Sequence, residues 1–393
     1  MPNRSSRGML RFIGSHKRYA RFARSNTGKI VRGGGSFKAM PRTRLRHAYE
    51  DIISVENLLA AWEEFVRGKR KKADVQEFER HLMKNVLALH RALADGTYCH
   101  GGYRHFKISD PKPRDIHKAS VRDRLLHHAL YRMLYPFFDR TFIADSFSCR
   151  TGKGTHRAMN RFRAFARKVS KNDTRTCWVL KCDIRKFFAS IDHAVLMEIL
   201  HERIPDKRIL ALVGNIVGSF HTPGAHSTGL PLGNLTSQLL VNVYMNEFDQ
   251  FAKHRLKARQ YVRYADDFVA LSHDRTALAK TLPYMEVFLR AELKLELHPR
   301  KVSLRTLASG VDFLGWVHFP DHRVLRTATK RRVFRNLENE PLPAYVASYA
   351  GMLSHGNARK LRSKLHEPRE SGSAGRGRLT PKCSVPLSRR RIS

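Results

Sequence analysis

This 393-residue chain is poor in cysteine and, relative to its bases, in acidic residues. Its five cysteines, Cys99, Cys149, Cys177, Cys182 and Cys383, include no CxxC pair and are odd in number, which argues against a disulfide framework and against a structural zinc site. Free thiols in a reducing compartment is the plain reading. Long apolar runs are missing too: no stretch of about 18 residues could span a bilayer, and no segment reads as a strongly amphipathic basic helix that would lie on one, so no membrane is expected. The Arg-rich residues 1 to 24 lack the apolar core of a secretory signal. Acids are outnumbered, 34 Asp and Glu against 74 Lys and Arg, for a net charge of +40 and a pI near 10.8. A polyanion is the expected partner, because clustered Lys and Arg neutralise phosphates and release counterions.

With 42% hydrophobic residues the chain can build a core, and its length points to two or three subdomains. Residues 1 to 49 hold thirteen Lys or Arg and no acid, with Gly33-Gly34-Gly35-Ser36 among them, and read as a flexible basic arm. Order is expected from Ser54, a cap for a helix carrying Leu58, Leu59, Trp62 and Phe65, followed by one helix through Phe78, Leu82, Val86 and Leu89. A strand and loop run from Gly101 to Asp115. The helix after it holds His127 and His128, which face different ways and are not expected to share a metal. Trp178 to Ile184 reads as a buried strand, Pro205 to Phe220 and Ser237 to Phe251 as helices, and residues 276 to 293 as another. Short strands through Trp316 and a basic helical region to about Leu365 follow. The tail from His366, rich in Ser, Gly, Pro and Arg, is expected to be disordered.

Tyr264-Ala265-Asp266-Asp267 sets two adjacent carboxylates between the short apolar runs Tyr261-Val262 and Phe268-Val269-Ala270-Leu271, the pattern of a hairpin with acids at its turn. Taken alone, such a pair is a solvated turn. Adjacent carboxylates repel and tend to hold a proton unless a divalent cation offsets the charge, and hard oxygen ligands suit magnesium. Asp183, at the end of the buried strand, supplies a second acid from a second strand. One acid per neighbouring strand is what a two-metal site requires, with ions about 3.5–4 Å apart clamping the attacking and leaving oxygens of a phosphoryl transfer.

Several further motifs stand in order around these acids: Lys112-Pro113-Arg114, Asp145-Ser146-Phe147-Ser148-Cys149-Arg150 with Gly152-Lys153-Gly154, Gly229-Leu230-Pro231-Leu232-Gly233-Asn234-Leu235-Thr236-Ser237-Gln238, Leu297-His298-Pro299-Arg300-Lys301, and Phe313-Leu314-Gly315-Trp316. Together with Asp183 and the acidic hairpin they resemble the successive motifs of reverse transcriptases, over about residues 50 to 335. The form Leu232 to Gln238 resembles the diversity-generating retroelement branch, where most other members carry glutamine at the first of these positions and proline at the last. Glu56-Asn57-Leu58-Leu59, Arg67-Gly68-Lys69-Arg70 and Arg122-Asp123-Arg124 resemble that branch as well.

The resemblance implies a right-hand polymerase of α+β class: residues 1–49 a basic flexible arm, 50–175 fingers and N-terminal helices, 176–322 an antiparallel-sheet palm, 323–365 a short helical thumb, and 366–393 a disordered basic tail. It implies that Asp183, Asp266 and Asp267 are catalytic and, with the Ile184 carbonyl, ligate two magnesium ions for which manganese can substitute. Phe188 would collide with a ribose 2′-hydroxyl. Lys112, Arg114, Arg150, Leu232, Gly233, Gln238 and Lys301 would meet the incoming nucleotide, and Lys153 with Phe313, Leu314, Gly315 and Trp316 the primer and template. The enzyme would be a cytoplasmic RNA-directed DNA polymerase, bacterial or phage-encoded, acting on template RNA and dNTPs. In the retroelement branch it would make adenine-mutagenic cDNA from a template repeat for retrohoming into a variable gene region, with a basic multimeric accessory protein. The alternatives are a defence-associated or group II intron-like reverse transcriptase, and a basic RNA-binding protein without catalysis. The acids at 183, 266 and 267 count against the last, and the lack of an HNH-like or CxxC-bearing segment after the thumb counts against an intron enzyme with its own endonuclease.

Overall fold

Ser54 breaks the chain between two helices. Its side chain accepts from the Asn57 amide, so α1 (Tyr49–Ile53) ends and α2 (Val55–Val66) begins within two residues, as the cap pattern predicts. The computed structural model describes residues 43–109, 113–338 and 343–366. Most of the basic arm, all of the tail from residue 367 on, and Lys112 lie outside the described residues. The described end of the arm is docked: Leu45 is buried and its amide donates to the Arg203 carbonyl. Tyr49 already starts a helix, a few residues earlier than expected.

The single helix expected through Phe78 and Leu89 is two, α3 (Ala73–Arg80) and α4 (Leu82–Ala94), separated at His81, whose φ and ψ of −122° and 35° leave the helical region. The break lets Phe78 stack on Trp62, with centroids 5.2 Å apart, while Val86, Leu89 and Leu93 stay buried. A hairpin of β1 (Tyr103–Ile108) and β2 (Arg114–Ala119) follows, then α5 (Val121–Asp139), which packs along α2. Helix α6 (Thr155–Ser170) falls outside the elements named from the sequence.

The central sheet is antiparallel, four-stranded and ordered β4-β5-β3-β6, with β3 (Trp178–Asp183), β4 (Tyr261–Tyr264), β5 (Asp267–Ser272) and β6 (Ser303–Thr306). Helices α7 (His193–His201), α8 (Lys207–Gly218), α9 (Leu235–Gln250) and α10 (Arg275–Leu293) connect these strands. Strand alternation divides its side chains. Leu180, Cys182, Tyr261, Phe268 and Ala270 join the main core with residues of α9 and α10. Val179, Val262, Val269 and Leu271 are buried on the other face, where α6 lies against β4 and β5. Burial on both faces explains why these strands read as continuous apolar runs.

This unit ends at Ser309, and a second compact unit begins at Gly310. The second holds the three-stranded antiparallel sheet β7 (Val311–Phe313), β8 (Trp316–His318), β9 (Arg323–Leu325) and the helices α11 (Thr327–Glu338), α12 (Pro343–Leu353) and α13 (Arg359–His366). The boundary at Gly310 assigns residues 310 to 322 to the C-terminal unit and not to the palm, where the sequence reading put them. Phe313 and Trp316 are the reason: both are buried in that unit, Trp316 over Gly356.

Candidate active site

Tyr264 pairs with Asp267, so the acidic hairpin closes through a two-residue turn, Ala265-Asp266. Ala265 has φ 54°, in the left-handed region, which costs a residue with a Cβ about 1–2 kcal/mol. Two hydrogen bonds hold it there. Arg263 Nη1 donates to the Ala265 carbonyl at 3.0 Å, and the Ile184 amide donates to the Asp266 carbonyl at 3.1 Å. The second bond joins the turn to the end of β3, where Asp183 lies opposite Asp267 in the register.

Arg263 is the functional residue that the sequence reading missed. It is fully buried and forks onto Asp249 of α9, with Nε 2.8 Å and Nη2 2.7 Å from the carboxylate, and reaches Ser146 Oγ at 3.1 Å. Tyr261 donates its hydroxyl to the same carboxylate at 2.8 Å. A bidentate guanidinium pair of this kind satisfies both buried charges and leaves one donor for the strained turn. The signal was present: an arginine in the apolar strand Tyr261-Val262-Arg263-Tyr264 must find a partner, and Asp249 is the acid on an otherwise apolar helix face.

Burial and the neighbouring Asp183 charge raise the carboxyl of Asp266 above the usual carboxylate range, against the pull of Lys301 and Arg114. Asp267 is pushed up to about 7 by burial, with Lys181 drawing it down and Asp183 and Asp266 adding to the rise. Lys181 Nζ stands 3.5 Å from Asp267 Oδ2, while Asp267 Oδ1 is buried with no hydrogen-bond partner. Lys301 Nζ donates to Asp183 Oδ1 at 2.9 Å, and the His298 amide donates to the Asp183 carbonyl at 2.7 Å. Among the described residues no three His, Cys, Asp or Glu side chains converge tightly enough to cage an ion unaided. An electronegative pair, Asp183 with Asp266, backed by an orphaned Asp267 oxygen, instead suits a hard divalent ion that completes its shell with water and substrate phosphates.

The loop from Gly229 to Asn234 is tied to the segment after Asp183. The Leu230 amide donates to the Phe188 carbonyl and the Gly229 amide to that of Ile191, both at 2.8 Å. Phe188 itself is half-buried beside fully packed Phe187. The other side of the loop meets β2: the Leu232 carbonyl accepts from the His117 amide at 3.0 Å, and Asn234 Nδ2 donates to the His117 carbonyl at 2.9 Å. Gly233, at φ 105°, lies so close to Ile116 that a Cβ would come within 2.9 Å of its side chain. Gln238 is half-buried one turn into α9. Arg114 is exposed on the same hairpin face as Ile116 and Lys118, and that face leads into a cavity of about 620 Å³ bordered by Lys69, Arg104, Lys118, Arg124, Phe106 and Gln238.

Other expected contacts are placed differently. Arg150 turns inward: Nε donates to Asp139 Oδ1 at 2.6 Å, and Nη1 to the carbonyls of Ile143 and Ser146, so its guanidinium fastens its own loop and is not presented to a nucleotide. Lys153 Nζ donates to the Ala144 carbonyl at 2.8 Å. Phe313 and Trp316 are core residues of the second unit, which leaves only the tip of their hairpin, Leu314 at φ 53° and Gly315 at φ 85°, for contact with a primer.

Paired aspartates lie at the ends of the two central strands of an antiparallel sheet in an α+β fold like that of reverse transcriptases, with Lys301 on one of them. The chain belongs to the family described as Reverse transcriptase (RNA-dependent DNA polymerase), whose sequence model matches residues 108–318, more than half of it. Members of this family use divalent metal ions. The chain is 26% identical over 284 residues to Protein YkfC of Escherichia coli strain K12, covering 62% of this chain and 72% of that protein. It is 22% identical over 324 residues to the group II intron-encoded protein LtrA of Lactococcus lactis subsp. cremoris, covering 65% of this chain and 52%, about half, of the relative's length. Among solved structures it is similar to an apo telomerase from Candida tropicalis truncated from its C-terminal domain, with a TM-score of 0.44 and 11% identity over 63% of this chain and 60% of that one. Among the described residues no helix is long and apolar enough to cross a membrane.

Proposed function

We propose that this reverse transcriptase copies a template RNA into error-prone cDNA, as the diversity-generating retroelement branch does. The observation that supports the reading is the Asp183 and Asp266 pair, followed in the chain by the segment Phe188 to Ile191 that the Gly229-Leu230 loop holds by backbone hydrogen bonds. Two divalent ions, magnesium by the hardness of the donors, would supply the charge neutralisation for attack by the primer 3′-hydroxyl and departure of pyrophosphate. Asp183 and Asp266 would hold them, with the Ile184 carbonyl and Asp267 alongside. Arg114, with Lys112, draws the triphosphate toward Asp266. Lys301, which donates to Asp183, would be released to meet the leaving pyrophosphate where a cation takes over that carboxylate. Phe188, whose carbonyl accepts from the Leu230 amide, would exclude a ribose 2′-hydroxyl. The template strand follows the hairpin face from Arg114 into the basic cavity, where Lys and Arg meet its phosphates and Phe106 its bases.

Leu232 sets the fidelity. It offers dispersion contacts where a glutamine amide would make directional hydrogen bonds, and an apolar wall separates similar shapes by only about 1–3 kcal/mol. Leu232→Gln should therefore raise accuracy, most visibly opposite template adenine. Sequencing cDNA made by both proteins on one template tests this; a wild type that copies adenine as accurately as the other bases would sink the retroelement reading and leave the polymerase standing. The intron-encoded relative favours a second reading, a group II intron-like enzyme. Sequencing the RNA that copurifies with the protein separates the two: a template repeat supports the first, a spliced intron the second. On the first reading the partner is the basic multimeric accessory protein of the retroelement, and the cDNA replaces a variable gene region.

A further inference from the structure

Helix α6 has an apolar buried side and a solvent side without a single acid. Ala158, Met159, Phe162, Phe165, Ala166 and Val169 are buried, and between them the helical period turns Arg157, Arg161, Arg163, Arg167 and Lys168 outward, all exposed. A solvated helix gains from opposite charges four residues apart and loses from like ones. Here Arg157 with Arg161 and Arg163 with Arg167 are like pairs at that spacing. The surface continues onto the segment after α9. Lys253 Nζ and Arg161 Nε approach the two oxygens of Asp145 at 2.7 and 2.6 Å, so the acid between the elements is doubly neutralised, and exposed Arg255, Lys257 and Arg259 extend the patch. A surface this rich in cations attracts a polyanion.

The shape of the patch says which one. Single strands are held by aromatic platforms, and anionic membranes by apolar anchors beside the cations. Among the described residues the exposed large apolar side chains are Met83, Phe106, Ile108, Tyr284 and Val287, none on α6 or on residues 253 to 259. Duplex RNA, by contrast, is gripped mostly through its shape, phosphates and 2′-hydroxyls. The first turn of α6 touches the turn end of the acidic hairpin, where Thr155 Oγ1 donates to the Tyr264 hydroxyl at 3.1 Å, and from there the helix extends about 24 Å.

We propose that the outer face of α6 is a docking surface for double-stranded RNA, outside the cleft that holds the aspartates. The inference rests on the polymerase reading in one respect: the duplex served is a structured part of the same RNA that is copied. The test is the variant Arg163→Gln/Arg167→Gln/Lys168→Gln, checked for an unchanged melting temperature. Filter binding of a blunt RNA duplex of about 16 base pairs is followed across salt concentrations. Loss of three phosphate contacts should lower the slope of log affinity against log salt by about 2 to 3 and weaken binding at least about tenfold at moderate salt. Arg163→Lys/Arg167→Lys, which keeps the charge, should bind as wild type does. Extension of a short primer on an unstructured template should keep its rate and KM. An unchanged duplex slope overturns the proposal. So does an equal loss on single-stranded RNA, a loss confined to phosphatidylglycerol vesicles, or a parallel fall in primer extension. If wild type extends no primer at all, the polymerase reading fails while the duplex measurement still decides this one.

Discussion

The buried pair of Arg263 and Asp249 should be separable into a stabilising part and a positioning part. Arg263→Met leaves a carboxylate in the core with only the Tyr261 hydroxyl, and stranding a buried charge in this way costs about 3–5 kcal/mol. Adding Asp249→Asn removes the orphaned charge and keeps an oxygen for Tyr261, so the double variant should return to within about 2 kcal/mol of wild type. Catalysis should not return with it. The charge-assisted bond from Arg263 to the Ala265 carbonyl is gone, an interaction of about 1.5–3 kcal/mol, and nothing on that side keeps Ala265 in its left-handed conformation. If that energy is lost from the positioning of Asp266, extension slows by about 10- to 100-fold. Urea unfolding of the three proteins gives the stabilities, and single-turnover primer extension gives the rates. A double variant that regains stability and also extends at the wild-type rate would refute the positioning role.

Asp266→Asn and Asp183→Asn should each abolish extension while leaving RNA binding intact, because a metal-ligand charge is removed with little change of shape; more than about a tenth of wild-type rate in either disproves the site. Phe188→Ala should admit ribonucleotides, raising rNTP relative to dNTP incorporation by about tenfold or more if a steric clash is what excludes them; an unchanged ratio makes Phe188 plain core. Acid should loosen the fold through His127 and His128. Burial, with the His100 charge, pushes His127 down to about 3, and burial, with Lys69 and Arg124, pushes His128 down to about 4. Because both folded values lie below the ordinary one of about 6.5, their stability is present above pH 6.5 and is lost as pH falls toward 4. For His127 the loss is on the order of 3 kcal/mol, so His127→Gln should show a shallower fall of melting temperature between pH 7 and 4.5, and parallel curves would exclude this origin.

Much of this molecule was legible from local pattern. Ser54, the apolar runs flanking Ala265-Asp266 and the placement of Asp183 at the end of Trp178 to Ile184 all depend on neighbours within a few residues, so capping, alternation and turn chemistry suffice to read them. The order of motifs named the family in the same way, since each motif is short and the acids sit at strand ends that the pattern locates.

What escaped depends on phase and partner. Periodicity tells that a residue recurs on one face but not what covers that face. Arg150 and Arg263 look alike in sequence, and both turned out to be spent inside the fold, on Asp139 and Asp249. Phe313 and Trp316 carry a family motif, yet the second unit takes both side chains into its own core. The acid-free run from Thr155 to Ser170 was readable as letters, but only packing against β4 and β5 decided which five cations face outward together. A charge in water and the same charge in a core differ by several kcal/mol, and the chain alone carries no statement of which one each residue will meet. Composition and spacing determined the chemistry available to this protein; the tertiary structure, by choosing what is desolvated and paired, decided which residues are left to use it.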